Sequence, residues 1–240
     1  MPLRVVLFAV LLLLCGCFGG GAQPRVTGDY AAQVKRVGVI NLIGANPHVS
    51  HLTSSALESH FGHLRLADWD IDRLAYALLV PRFERKGYRV SVLPRSGELA
   101  RAQATDWLAA ESASVTEAIY AAGSAAGLDL IIVIQPAIAA DFVTQTSQKV
   151  RGYGLQQAFD GEARVYATIQ ATAHDIERRF TVGRATAQQA VPANAGIWRD
   201  DFTLIRGELA LDGNAGAALQ AQLETLLTAT IGSALQEAGL

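Results

Sequence analysis

The sequence predicts an α/β fold with α+β elements in its second half: a central mixed sheet with helices packed on it and a C-terminal amphipathic helix. Strand-like apolar runs alternate with helix-like runs over residues 35–134. A run that alternates apolar and polar residues follows at 163–174, as is typical of an antiparallel strand. From Asn214 to Ala238, leucine and isoleucine recur at helical spacing.

The first residues have the pattern of an export signal. Arg4 precedes a run of ten apolar residues, Val5–Leu14. A transmembrane helix needs about 20 apolar residues, so this run is too short to span a bilayer. A positive charge followed by an apolar run of this length is typical of a secretory signal. We therefore expect residues 1–16 to be a signal peptide.

The segment Leu14-Cys15-Gly16-Cys17 resembles the lipobox of bacterial lipoproteins. The resemblance implies cleavage before Cys17, which would carry a diacylglyceryl thioether and an amide-linked acyl chain. In that family, Asp after the cysteine retains the protein in the inner membrane, and Phe18 stands there instead. The implied location is the periplasmic face of the outer membrane. Both cysteines of the chain are then accounted for, so the mature domain has no thiol and no disulfide.

Composition limits the class of partner. After the lipid attachment site, the glycine-rich residues 17–32 are expected to form a flexible tether, and residues 33–240 a single periplasmic domain. The chain carries 20 Lys and Arg against 22 Asp and Glu, a net charge of −2, and its basic residues form no cluster along the sequence. Nucleic-acid binding needs a positive stripe, so we expect none.

Strand and helix signals alternate in the first half of the domain. Residues 35–44 leave neither face polar, as in a buried parallel strand. Apolar residues then recur at helical spacing from Asp70, a capping residue, to Lys86, and Gly87 is a suitable terminator. Residues 88–93 alternate as a second strand.

The alternation continues with a second helix and a third strand. Ser114 and Glu117 have the spacing of a capping box, which predicts a helix that ends at Gly127. Leu128–Ile134 follows as the most hydrophobic strand after the signal segment. The order strand, helix, strand, helix, strand is typical of an α/β layer with right-handed crossovers.

The second half has a different pattern. Residues 163–174 alternate strictly, which predicts an antiparallel strand with one face on the core and one face in water. Residues 180–189 are expected to pair with it as a hairpin. The C-terminal helix, Asn214–Ala238, has an apolar stripe made by Leu219, Leu223, Leu226, Leu227, Ile231 and Leu235.

Three segments together resemble a known periplasmic α/β domain. They are the strand Arg36–Gly44, the helix end and strand at Ala122–Val133, and the hairpin with C-terminal helix from Ala163 onward. The domain is shared by outer-membrane lipoproteins of the penicillin-binding-protein-activator and curli-secretion types and is similar to the amino-terminal domain of TolB. The resemblance implies a binding or assembly role without catalytic residues.

Two short motifs resemble marks of an uncharacterised proteobacterial lipoprotein group. They are "DWDID" at 68–72 and "RGYG" at 151–154. In the second motif, Gly152 and Gly154 free the backbone on both sides of Tyr153. A rigid aromatic on a mobile loop suits a contact site, so these three residues are candidate partner-binding residues. A simple hairpin turn is the alternative.

Four of the five histidines lie in an inserted segment, residues 45–68, which we expect to form a hairpin or a short helix. In a hairpin, His48 would pair with His63 and His51 with His60, on opposite faces. Each face would then hold two ligands, whereas zinc takes three or four. In a short helix, His60 and His63 would share a face instead. The four histidines are candidate metal ligands, exposed loop histidines being the alternative, and we expect no metal or other cofactor.

Signatures of hydrolases are missing from the sequence. It contains neither a G-x-S-x-G elbow nor an H-E-x-x-H motif. We therefore predict no enzyme and no catalytic residue, but a lipoprotein that acts as an interaction or assembly module for an envelope component. Its partners would be the membrane, through the lipid, and an envelope protein or a second copy of the chain. A ligand- or metal-binding lipoprotein and an envelope hydrolase are the alternatives.

Overall fold

The computed structural model describes residues 23–52, 60–105, 112–157, 161–195, 197, 208–211 and 213–240. Within these ranges, ten strands form one mixed sheet, and five helices accompany it. The α/β class predicted from the sequence is confirmed. The predicted signal peptide, residues 1–16, and the predicted lipid attachment residue Cys17 lie outside the described residues.

The bounds of the elements follow in chain order. The strands are β1 Arg36–Asn41, β2 His48–His51, β3 His60–Arg65, β4 Arg89–Val92, β5 Leu130–Pro136, β6 Ile138–Ala140, β7 Lys149–Gln157, β8 Ala163–Asp175, β9 Phe180–Pro192 and β10 Glu208–Ala210. The helices are α1 Gly28–Ala31, α2 Ile71–Glu84, α3 Glu98–Thr105, α4 Ala113–Ala125 and α5 Gly213–Glu237.

The long strand β8 organises the sheet, whose order is β10-β3-β2-β7-β8-β5-β1-β4. One edge of β8 pairs with β7 along its first half and with β5 along its second half. Its other edge pairs with β9 along almost its whole length. The strands β4, β1 and β5 are parallel, so their carboxyl ends lie at one edge of the sheet.

Helices cover both faces of the parallel part of the sheet. Helices α2 and α5 share a core with inward residues of β1, β5 and β8 on one face. Helices α3 and α4 share a second core with the opposite residues of β1 and β5. All six residues of the predicted apolar stripe of α5 are buried, as expected: Leu219, Leu223, Leu226, Leu227, Ile231 and Leu235.

The structured chain begins earlier than the sequence predicted. Val26 is buried against the core, and its backbone N–H donates to the Ala238 carbonyl at 2.9 Å. The backbone N–H of Arg184 donates to the Pro24 carbonyl at 2.7 Å. Residues 23–32 therefore pack on the domain, and the flexible tether predicted over residues 17–32 is wrong for that part. A single apolar side chain, Val26, gives too weak a sequence signal to reveal this docking.

The predicted wet face of β8 is also wrong. Thr168, Gln170, Thr172 and His174 are all buried, as are the apolar residues between them. The reason is the central position of β8, which has neighbours on both edges, the main core on one face, and Tyr166 and His174 in contact with other packed residues on the opposite face. Alternation in the sequence identified the strand and its pairing with β9, but not its depth in the sheet.

Candidate functional site

The two short motifs of the sequence meet at the carboxyl end of β1. The indole N–H of Trp69 donates to the Tyr153 hydroxyl at 2.9 Å, and the two ring centroids lie 6.0 Å apart. The same hydroxyl lies 2.9 Å from the Gly44 carbonyl oxygen and 3.1 Å from that of Ala45, to which it can donate. The motifs at 68–72 and 151–154 are thus fastened together on the segment that leaves β1.

This placement corrects the candidate contact loop Gly152-Tyr153-Gly154. The three residues lie inside β7, and only 2% of Tyr153 is exposed, so its ring offers no surface to a partner. The glycines serve strand pairing instead. A Cβ on Gly154 would lie 2.0 Å from the His48 carbonyl oxygen of β2, and Gly152 has a φ of +60°. The glycines that suggested a mobile loop are required instead by the close approach of β7 and β2.

A polar cluster lies beside this junction, where parallel strands end. The Arg95 guanidinium forms a bidentate ion pair with the Asp72 carboxylate, one of its bonds being 2.6 Å long. Arg95 also donates to the Tyr76 hydroxyl at 3.1 Å. The side-chain amide of Asn41 donates to Asp72 at 2.7 Å, and that of Gln103 donates to the Ile43 carbonyl at 2.9 Å. Carboxyl ends of parallel strands are a common place for ligands.

The hydrogen bonds and the ion pair of this cluster connect elements of the fold. Burial on its own would raise the pKa of Asp72, but hydrogen bonds from Arg95 and Asn41 outweigh burial and lower it. The carboxylate therefore stays ionised and engaged, which makes it a poor proton acceptor. Through these bonds, α2 is joined to β1 and to the segment that follows β4.

The histidine segment forms the hairpin alternative. Strands β2 and β3 are antiparallel, and His48 lies opposite His63 while His51 lies opposite His60, as the spacing predicted. The rings of His48 and His63 lie next to each other, with centroids 4.9 Å apart and planes inclined by 41°. Within the described part of the chain, three or more His, Cys, Asp or Glu side chains are nowhere grouped as metal ligands. The insert is more than a loop, because β2 also pairs in parallel with β7.

A groove opens on the sheet face that carries the His48–His63 pair. It lies between the β2–β3 pair and the β6–β7 hairpin and has a volume of 370 Å³. Its lining includes His48, Ser50, Phe61, Lys149, Arg151 and Tyr166, and we call it the sheet-face groove. Phe61 is 58% exposed, whereas Tyr166 is buried at 4%. Sequence reasoning missed this site because its residues come from separate segments that only the sheet brings together.

The side of the sheet-face groove formed by the β6–β7 hairpin is held in place by one buried carboxylate. Asp141 accepts the backbone N–H groups of Val143 and Thr144, both at 2.9 Å, and the backbone N–H of Thr146 at 3.1 Å. Burial would raise the pKa of Asp141, but hydrogen bonds from Thr144 and Thr146 lower it. Val143 and Val150 pack on Tyr166, which joins the hairpin to β8. The wall is therefore a built part of the fold.

His174 is a buried histidine that the sequence did not single out for a role of its own. It is 1% exposed, and neither ring nitrogen has a hydrogen-bond partner among the residues that the structure describes. Burial, with a smaller contribution from nearby Arg184, lowers its pKa to about 4. The Tyr120 ring meets it edge-on at 5.7 Å. The adjacent Asp175 accepts the Arg178 backbone N–H at 2.7 Å and does not hydrogen-bond the His174 ring.

Comparisons with known proteins found similar structures at low identity. A DUF330-family protein from Xanthomonas campestris is 14% identical, covers 89% of this chain and 92% of its own, and has a TM-score of 0.40. The PelC dodecamer from Paraburkholderia phytofirmans is 12% identical over 91% and 93%, with a TM-score of 0.39. Lipoprotein GNA1162 from Neisseria meningitidis is 11% identical over 80% and 98%, with a TM-score of 0.32.

These likenesses are too weak to carry a role over to this chain. No family model and no curated protein matches the sequence. The penicillin-binding-protein-activator, curli-secretion and TolB types stay a prediction from the sequence. None of the helices that the structure describes has the length and apolar character needed to cross a membrane.

Proposed function

We propose that this chain is a lipid-anchored lipoprotein of the cell envelope that acts as a non-catalytic interaction module. The anchoring part of the proposal is supported by the signal-like residues 1–16 and by the lipobox that ends at Cys17. The anchor would hold the domain at the periplasmic face of the outer membrane. Several acyl chains make such an anchor stable, since each buried methylene adds about 0.8 kcal/mol of membrane affinity.

The sheet-face groove is the observation that carries the interaction role. It exposes Phe61 at 58% on a sheet whose other large apolar residues are mostly buried. A large aromatic exposed in a concave site is typical of a binding anchor. The groove also lies on the rigid sheet rather than on a loop, so it would be preformed.

The non-catalytic part of the proposal is supported by the state of the polar side chains. Asp72 is engaged by Arg95 and Asn41, and Asp141 by the turn that it caps. His174 lies 1% exposed among packed residues, out of reach of a substrate. A purified preparation that turned over an envelope substrate, and lost this activity on a single polar substitution, would contradict this part.

The experiment that tests the proposal is crosslinking in cells followed by affinity purification and mass spectrometry. We would compare the wild type with Phe61→Ser and with the matched control Phe180→Ser, since Phe180 is also exposed, at 46%, on a different strand. We expect a reproducible envelope protein with the wild type and the control, and its loss with Phe61→Ser. An identical set of proteins from all three chains would contradict the proposal.

Metal binding is a second candidate function, favoured by one observation. The His48 and His63 rings lie next to each other on paired strands, with centroids 4.9 Å apart, and neutral imidazole is a good ligand for zinc and copper. Stoichiometric zinc or copper that survives dialysis and is lost in a His48→Asn, His63→Asn double variant would support it. Metal content that stays at the level of a blank protein would rule it out.

A further inference from the structure

We infer that the sheet-face groove takes an acidic segment of a partner protein, with carboxylates beside Lys149 and Arg151 and an apolar side chain against Phe61. The inference rests on the proposed interaction function and specifies the chemistry of the partner. It draws on three properties of the groove: its charge, its exposed aromatic and the polar side chains between them.

The sheet-face groove is cationic, although the whole chain has a net charge of −2. Lys149 and Arg151 line it, and none of its described lining residues is acidic. A surface of one sign selects a partner of the other sign.

The exposed aromatic of the sheet-face groove supplies the apolar contact. Phe61 keeps 58% of its surface in water although it stands within a strand. Covering its ring removes apolar surface from water at about 25 cal/mol per Å². A segment with one apolar side chain between two carboxylates would cover the Phe61 ring and pair with Lys149 and Arg151 at the same time.

The polar lining favours a peptide over a lipid. Ser50 and Gln148 stand half-buried in the wall of the sheet-face groove. An acyl chain laid over them would leave their hydrogen-bonding groups unpaired, whereas the backbone of a peptide can pair with them. The volume of 370 Å³ also lies near the low end of the range for ligand sites, about 300–1,000 Å³, which suits a few side chains of a crossing segment.

The test measures binding of a fluorescein-labelled peptide in which glutamates alternate with leucine and phenylalanine, against the same peptide with glutamine for glutamate. The protein is the full chain, as wild type, as a Lys149→Glu, Arg151→Glu double variant and as the control Arg89→Glu on the distant strand β4. We expect the acidic peptide to bind the wild type and the control, and the double variant at least about tenfold more weakly. Added salt should weaken binding to the wild type.

Four outcomes would overturn the inference. These are equal binding of the glutamine peptide, equal binding by the double variant, failure of the acidic peptide to bind while phosphatidylglycerol vesicles bind in a Lys149- and Arg151-dependent way, or complete competition by inorganic phosphate alone. Matching thermal melts of all variants would establish that they fold. If a Phe61-dependent partner is still purified from cells, the inference fails while the proposed function stands; if that partner is absent as well, both fail.

Discussion

The Tyr153 hydroxyl joins parts of the chain that are far apart in sequence. It accepts the Trp69 indole N–H and lies within bonding distance of the Gly44 carbonyl, and the Tyr153 side chain is buried. Tyr153→Phe removes the hydroxyl and leaves the Trp69 indole N–H and the Gly44 carbonyl without it as a hydrogen-bond partner. We expect a loss of about 1–3 kcal/mol in the free energy of unfolding, measured by urea denaturation.

A double-mutant cycle isolates the Trp69–Tyr153 bond. Trp69→Phe alone should also destabilise the protein, and the Trp69→Phe, Tyr153→Phe double variant should cost less than the sum of the two single changes. If the losses in the free energy of unfolding of the two single variants add up to that of the double variant, Trp69 and Tyr153 act independently, which would contradict the proposed bond between them.

His174 makes the folded state sensitive to acid. Its pKa is about 4 when folded against 6.5 ordinarily, so the unfolded chain takes up the proton first as the pH falls. The stability that neutral His174 permits is present above about pH 6.5 and is lost as the pH approaches 4. At about pH 4.5 the loss should be about 2–3 kcal/mol relative to neutral pH.

The measurement is urea unfolding at neutral and at mildly acidic pH for the wild type and His174→Phe. We expect the variant to lose less stability between the two conditions. The carboxyls of Asp72, Asp129 and Asp141 have lowered pKa values, so their contributions are lost only below the ordinary value of 3.8 and do not interfere. Equal pH-dependence in the two chains would show that His174 is not the sensor.

At the scale of elements, Gly123 sets how closely α4 approaches the sheet. A Cβ there would lie 2.6 Å from Ile176 Cδ1 and 2.8 Å from Ile131 Cδ1. Gly123→Val should therefore overpack this contact and cost about 1–3 kcal/mol in thermal or urea unfolding. In α5, a Cβ on Gly232 would meet nothing within 4 Å, so Gly232→Val is the matched control and should change stability by about 0.5 kcal/mol or less. Equal effects at both positions would contradict this packing.

Local patterns predicted some elements and could not predict others. For the histidine segment the sequence left a hairpin and a short helix as alternatives, and the structure has the pairing expected for the hairpin, His48 opposite His63 and His51 opposite His60. Helix α4 was found, but its cap is Ser112, which accepts the Val115 N–H at 3.3 Å, rather than Ser114. The glycines of β7 were interpreted as part of a loop. They are required instead by the close approach of β2, a strand that is distant in sequence.

At the level of the whole molecule, the candidate site is formed by residues from several strands that the fold brings together. The sheet-face groove takes Phe61 from β3, Tyr166 from β8 and its cations from the start of β7. Phe61 and Tyr166 belong to no motif, and Arg151 stands in the motif at 151–154 without any local sign that it lines a groove, so the sequence predicted a binding role but not this site. The cluster around Asp72 and Arg95 likewise joins residues that lie in separate elements, and only the fold reveals that they meet.

The anchor is a prediction about the whole chain. Cys17→Ala should leave an uncleaved precursor and abolish the incorporation of labelled palmitate, since the thiol is the proposed attachment point. Fractionation of the cell envelope should then find the variant absent from the outer-membrane fraction, because the uncleaved precursor keeps its apolar segment 5–14. Normal cleavage without palmitate in either chain would make this an ordinary secreted protein.

Photo-crosslinking from the sheet-face groove in living cells shows whether a partner lies against Phe61. A benzophenone amino acid would replace Phe61 in one chain and Phe180 in a control chain, both in living cells. We expect a discrete adduct with one envelope protein from position 61 and none of that size from position 180. The absence of any adduct specific to position 61, in a chain that is folded and present at normal levels, would contradict the assignment of the sheet-face groove as a partner site.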